Sequence, residues 1–146
     1  MNVLAPYDGS ALAETAVKRA AEFDTGSEVI VVTVIPEDRR FALERGWVEE
    51  HETYDPAAIE DRFAQTVAEI APAATFRAEY PEFSTPTIAT VHDEIARTIR
   101  MVAHEIAASV VFVGSDNAGR VSTPVTSVGN PISKDPDYDV HIVRHT

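Results

Sequence analysis

VLAPYDGS, residues Val3 to Ser10, is the stretch whose reading decides the fold: a short apolar run that closes on Pro6, Asp8 and Gly9 just before a helical pattern. Ser10 is placed to cap that helix, Glu14 lies near its start, and Leu12, Ala16, Ala20 and Phe23 recur at helical spacing until Gly26 stops it. A strand, a sharp turn and a helix in this order open an α/β sheet, and groups just past the carboxyl end of such a strand line the ligand crevice. Asp-Gly-Ser is also ordinary turn and cap chemistry, so a site reading needs partners elsewhere in the chain.

Working outward, Glu28 to Ile35 (EVIVVTVI) is a nearly continuous β-branched run, the mark of a strand buried on both faces of a parallel sheet, and Pro36 ends it. From Glu37 to Asp55 the composition turns to Arg, Glu, Gly and a few aromatics, among them the only tryptophan, Trp47. No period persists there, and the expectation is a long crossover loop in which Trp47 and Tyr54 form a small packing cluster. Pro56 starts a helix through Ile59, Phe63, Val67 and Ile70 that Pro72 breaks. Thr75 to Tyr80 and Thr87 to Val91 both read as extended. The second is preferred as third strand because it leads directly into an amphipathic helix, Asp93 to Ala107, with Ile95, Ile99, Val102, Ala103 and Ile106 on one face. Val110 to Val113 gives a fourth strand that ends in Gly114; a weak helix near Ser127 to Lys134 and a closing strand, Val140 to Val143, follow. Strands and helices alternate throughout, which predicts one α/β domain over residues 1–146, a parallel sheet with helices on both faces.

Composition narrows the function classes. There are 24 acidic residues against 12 basic ones, a net charge of −12, which argues against general affinity for nucleic acid or anionic lipid. Only Lys18 and Lys134 are lysines. An acidic, lysine-poor chain of this kind suits a salt-loving cell, where the Debye length is only about 3 Å at 1 M salt. No apolar run is long enough to cross a membrane, no secretory signal is visible, and the expected location is the cytoplasm. Without cysteine, thiolate metal sites and cysteine nucleophiles are excluded. The five histidines, at 51, 92, 104, 141 and 145, lack ligand spacing, so no metal site is expected, and His104 and His141 read as structural. No Ser/His/Asp arrangement is visible for a hydrolase.

A second glycine-bearing strand end, Gly114-Ser115-Asp116-Asn117-Ala118-Gly119, precedes Thr126-Ser127-Val128 at the start of the last helix. Loop amides plus a capped helix N-terminus form a cradle for phosphate oxygens. If strands one and four are neighbours, Asp8 and Gly114 flank one crevice.

On these segments the chain resembles the universal stress protein family from Val3 to Arg144. VLAPYDGS is similar to the family's opening strand and turn, ASVVFVGS (Ala108 to Ser115) to its fourth strand, and TSVGNPISKDPDYDVHIVR (Thr126 to Arg144) to its final helix and strand. The resemblance implies a fold of the adenine nucleotide alpha hydrolase type, an open five-stranded parallel sheet in the order 3-2-1-4-5. It also implies a homodimer through the last strand, Val140 to Val143, and a regulatory role without catalysis. In one branch it implies ATP or AMP, with Mg, across strands one and four. By position, Pro6, Asp8 and Val34 would then lie around adenine and ribose. Gly114, Ser115, Ser127 and Val128 would lie around the phosphates, with Asn117 and Thr126 in the same loop.

That branch carries the loop G-x2-G-x9-G-[ST]. Here Asn117 stands at the second Gly, the spacing is one residue short, and Thr126 stands where the third Gly belongs. A second register through Gly119, Gly129 and Asn130 would leave the final helix three residues too short. A Cβ in place of glycine blocks close approach of backbone to phosphate, Asp116 adds negative charge, and Arg120 is the one nearby cation. Two functions follow: a regulatory module that binds ATP or AMP, and a nucleotide-free dimeric interaction module with a degenerate loop. A slow ATPase ranks last, because no positioned base is visible.

Overall fold

The computed structural model describes residues 1–23, 26–81, 88–117 and 138–146. The elements in chain order are β1 (Asn2–Pro6), α1 (Ala11–Phe23), β2 (Glu28–Val34), α2 (Arg39–Glu44), α3 (Pro56–Ile70), β3 (Thr75–Glu79), α4 (Ile88–Glu105), β4 (Ala108–Gly114) and β5 (Asp139–Val143). The strands form one five-stranded sheet in the order β3-β2-β1-β4-β5, and every pairing is parallel.

Right-handed crossovers assign the faces. From β1 to β2 to β3 the chain steps in one direction, so α1 and α3 cover the same face; from β3 back to β4 it steps the other way, so α4 lies on the opposite face. The contacts agree: α1 touches α3, while α4 packs on β2, β4 and α2. The direction of winding reverses between β1 and β4, and the two strand ends there open onto a crevice.

The inner strands are buried along almost their whole length, as their β-branched runs predict: Val3, Leu4 and Ala5 of β1, Val29 to Val34 of β2, and Val110 to Gly114 of β4. Ser10 caps α1 through a hydrogen bond from the Ala13 amide to its Oγ at 3.2 Å. The buried face of α1 is Ala13, Ala16, Val17 and Ala20; Phe23 is half exposed and lies edge-on against Phe112. Small side chains on that face let the helix sit close to the sheet.

Two expectations fail. The third strand is Thr75–Glu79 and not Thr87 to Val91, whose residues from 88 onward form the first turn of α4. The edge explains this. Among the described residues β3 pairs only with β2, and its side chains are half exposed, so it lacks the apolar run that betrays an inner strand. Val91 and Ile95, both buried, extend the apolar face of α4 one turn earlier than Asp93, and tertiary burial overrides local β-propensity. Second, the stretch from Glu37 to Asp55 is not a plain loop: it contains α2, capped by Asp38, whose carboxylate accepts from the Phe41 amide at 3.0 Å. The helix expected near Ser127 to Lys134 lies outside the described residues.

Candidate functional site

Asp8 is the hub of the crevice. Its Oδ1 accepts from the Ser10 amide at 3.0 Å, and its Oδ2 accepts from Asn117 Nδ2 at 3.0 Å and from Arg45 Nη1 at 3.0 Å. Its backbone carbonyl accepts from the indole Nε1 of Trp47 at 2.8 Å. Burial pushes the Asp8 carboxyl up, but the hydrogen bonds from Ser10 and Asn117 and the Arg45 guanidinium outweigh burial and hold it below its ordinary value of 3.8. The sequence singled out Asp8 and Asn117, and the structure joins them directly across the β1 and β4 ends.

Around this hub the chain fills its own crevice. Pro6, Asp8, Val34 and Asn117 do meet, and Tyr7, Val32, Phe41, Trp47, Ile95 and Ile99 complete the lining. The space left between them is a cavity of about 20 Å³. That is room for about one water, whose centre needs roughly 10–15 Å³; ligand pockets run to about 300–1,000 Å³. Phe41 is 2% and Trp47 4% exposed, and their rings meet edge to face at 5.3 Å, with Phe63 stacked the same way on the other side of the indole at 5.4 Å. An adenine ring does not fit beside them in this form. Among the described residues, Asn117 Oδ1 has no hydrogen-bond partner, and neither has the buried Nε of Arg45; Asn117 is 8% exposed.

The two glycine-bearing strand ends serve packing. Gly9 sits at φ +87°, and a Cβ there would meet the Phe63 ring at 2.9 Å. Gly114 is buried, and a Cβ there would strike Leu12 of α1 and Asp116, each at 2.8 Å. Its missing Cβ leaves room for α1. Ser115 extends the sheet, its amide donating to the Val143 carbonyl at 2.8 Å. Thr126, Ser127 and Val128 lie outside the described residues.

On the other side of Asp8 an open cleft of about 620 Å³ runs between the α1 N-terminus and α3, with Arg45, Trp47, Arg62, Phe63 and Thr66 in its wall. Sequence reasoning missed Phe41, Arg45 and this cleft. The available signal was Asp38 three residues ahead of Phe41, a cap that announces a helical turn, with two large aromatics behind it. Histidine spacing also overlooked a group on the surface, Glu49, His51 and Glu52, whose donor atoms lie within 4.8 Å of one another. All three are exposed, and the Glu49 amide and His51 ring bind the two carboxylates as an ordinary turn. His141 is exposed on β5 and stacks on Phe112 with ring centroids 4.6 Å apart. No helix among the described residues is long and apolar enough to cross a membrane.

The sequence matches the Universal stress protein family over residues 1–144. Among solved structures, a universal stress protein in complex with cAMP is similar at 22% identity and TM-score 0.53, covering 100% of this chain and 98% of its own. The universal stress protein UspA from Lactobacillus plantarum is similar at 17% identity and TM-score 0.54, covering 99% and 97%. At such identities these likenesses carry the fold. No match is found among curated protein sequences.

Proposed function

This chain belongs to the universal stress protein family, and on that premise we propose that it is a non-catalytic regulatory module that rests without nucleotide, its base crevice occupied by its own side chains. The observation that carries the reading is the cavity of about 20 Å³ where Pro6, Asp8, Val34 and Asn117 meet. Asp8 supports it further, because both carboxylate oxygens are already engaged within the chain. The second reading, an ATP or AMP sensor, draws on those same four residues and on the cAMP bound by a relative of the same fold. It requires the crevice to open.

The module works as a homodimer through β5 in this reading. Among the described residues β5 is an edge strand that pairs only with β4, which leaves its outer backbone groups for a second copy. A sheet edge of this kind, on an acidic surface adapted to high salt, is the proposed means of contact with partners in the cytoplasm.

The test is to purify the protein in molar KCl, denature it, and identify any released nucleotide by mass spectrometry, with calorimetric titration of ATP and Mg. An empty protein that gives no heat with wild-type sequence supports the resting-state reading. Stoichiometric ATP or AMP overturns it in favour of the sensor. For the dimer, Ile142→Lys should elute as a monomer on a sizing column in high salt, and an unchanged volume removes β5 as the interface.

A further inference from the structure

The crevice brings together the polar groups of a ligand site in a volume that admits no ligand, and the material that fills it is one short segment. α2 has six residues, too few to hold a helix in water unaided. Its stability comes from the burial of Phe41, Ala42 and Trp47, with Phe41 edge-on to Trp47 and to His92 of α4 and Trp47 edge-on to Phe63 of α3. Gly46, at φ +74° with open space around it, turns the chain between α2 and Trp47.

The base of the segment is tied to itself. Tyr54 Oη donates to the Pro36 carbonyl at 2.8 Å, and Arg39 Nη2 donates to the carbonyls of Glu50 at 2.6 Å and Glu52 at 3.2 Å. None of these bonds involves a crevice residue. Among the described residues, the tip is attached to the β1 end through Arg45 Nη1 to Asp8 Oδ2 and Trp47 Nε1 to the Asp8 carbonyl. It is attached to α3 through Arg62 Nη1 to the Trp47 carbonyl at 3.4 Å, and to α4 through Glu44 and His92 at 3.3 Å.

We propose that the segment from Arg39 to Trp47 is an internal competitor for the crevice, with the Arg45–Asp8 ion pair as its latch; this rests on the resting-state reading above. In this proposal the phenyl and indole rings hold the place of a flat heteroaromatic base in a crevice that Val32, Val34, Ile95 and Ile99 also line. When the tip swings out, that apolar slot is vacated and Asp8 loses two donors. Asp8 and Asn117 Oδ1, which has no partner among the described residues, then stand as acceptors for the amino group or ribose hydroxyls of an adenine nucleoside. The closed tip lowers the ligand's apparent affinity by the fraction of molecules that are open, so weakening the latch tightens binding without adding a contact.

The experiment uses Trp47, the only tryptophan, as the reporter. Acrylamide quenching and calorimetric titration with adenosine are run in molar KCl on the wild type, Arg45→Gln and Arg45→Lys, each shown folded by circular dichroism. The expected result is that Arg45→Gln quenches faster and binds adenosine about ten-fold more tightly than wild type, ~1.4 kcal/mol, with Arg45→Lys between them. Adenosine should also speed quenching of wild-type Trp47, a readout that needs no variant to fold. The proposal is overturned if adenosine binds while Trp47 stays as protected as before, or if folded Arg45→Gln matches wild type in both measurements. It is overturned too if Arg45→Gln exposes Trp47 yet neither protein binds adenosine, an outcome that leaves the resting-state reading standing. Nucleotide released from the purified wild type would instead sink that reading.

Discussion

Two hollows meet at Asp8, and they differ in kind. The one at the strand ends is reduced to about 20 Å³ by Phe41 and Trp47, while the cleft between the α1 N-terminus and α3 stays open at about 620 Å³. The closed side is aromatic and aliphatic apart from Asp8 and Asn117; the open side is walled by Asp8, Glu44, Arg45, Arg62 and hydroxyl-bearing side chains beside Trp47 and Phe63. Apolar surface collapses on whatever apolar side chain is near, and charged side chains keep water between them. The side that family resemblance marks for the base is therefore the side the chain itself can close, and the open side is left by the solvation of its walls.

Truncation on the closed side should have the largest effect. Phe41→Ala removes a fully buried ring and should cost about 3 kcal/mol or more in denaturant unfolding, with faster acrylamide quenching of Trp47 in the folded protein. A crevice closed by some other group would leave quenching unchanged. Gly9→Ala, at the wall between the hollows, combines left-handed backbone with contact on the Phe63 ring and should cost about 2–3 kcal/mol, read as a shift in the unfolding midpoint.

Acid tests the latch in between. The folded carboxyl of Asp8 lies below its ordinary 3.8, so the stability it contributes is present above pH 3.8 and is lost as pH falls through the folded value. Trp47 quenching should therefore be flat from neutral pH down to about that point and rise below it; a rise near neutrality would point to a different group. On the open side, Arg62→Gln should change stability by under about 0.5 kcal/mol. A loss comparable to that of Phe41→Ala would erase the distinction between the two hollows.

The sequence was legible where burial is two-sided. β1, β2 and β4 announce themselves as apolar runs, and α1, α3 and α4 by caps and spacing, because an inner strand or a sheet-covering helix leaves little freedom in residue type. β3 was misplaced because an edge strand with half-exposed side chains, TFRAE, carries no such run. At the crevice, Asp8, Pro6, Val34 and Asn117 were legible as neighbours because strand ends fix them in place. Phe41 and Arg45 were not, since their partners are Trp47, six residues on from Phe41, and Asp8, 37 residues back from Arg45. No local period encodes a contact at that separation. The packing partner of Gly114 is hidden for the same reason: Leu12, which needs its missing Cβ, is far away in sequence.

The measurement that bears most directly on this account is acrylamide quenching of Trp47 in the unmodified protein, free of ligand, at neutral pH in molar KCl. The account predicts a quenching constant far below that of N-acetyltryptophanamide under the same conditions, because the indole is sealed between Phe41 and Phe63 over Asp8. A constant equal to that of the free analogue would contradict it, for the crevice would then stand open.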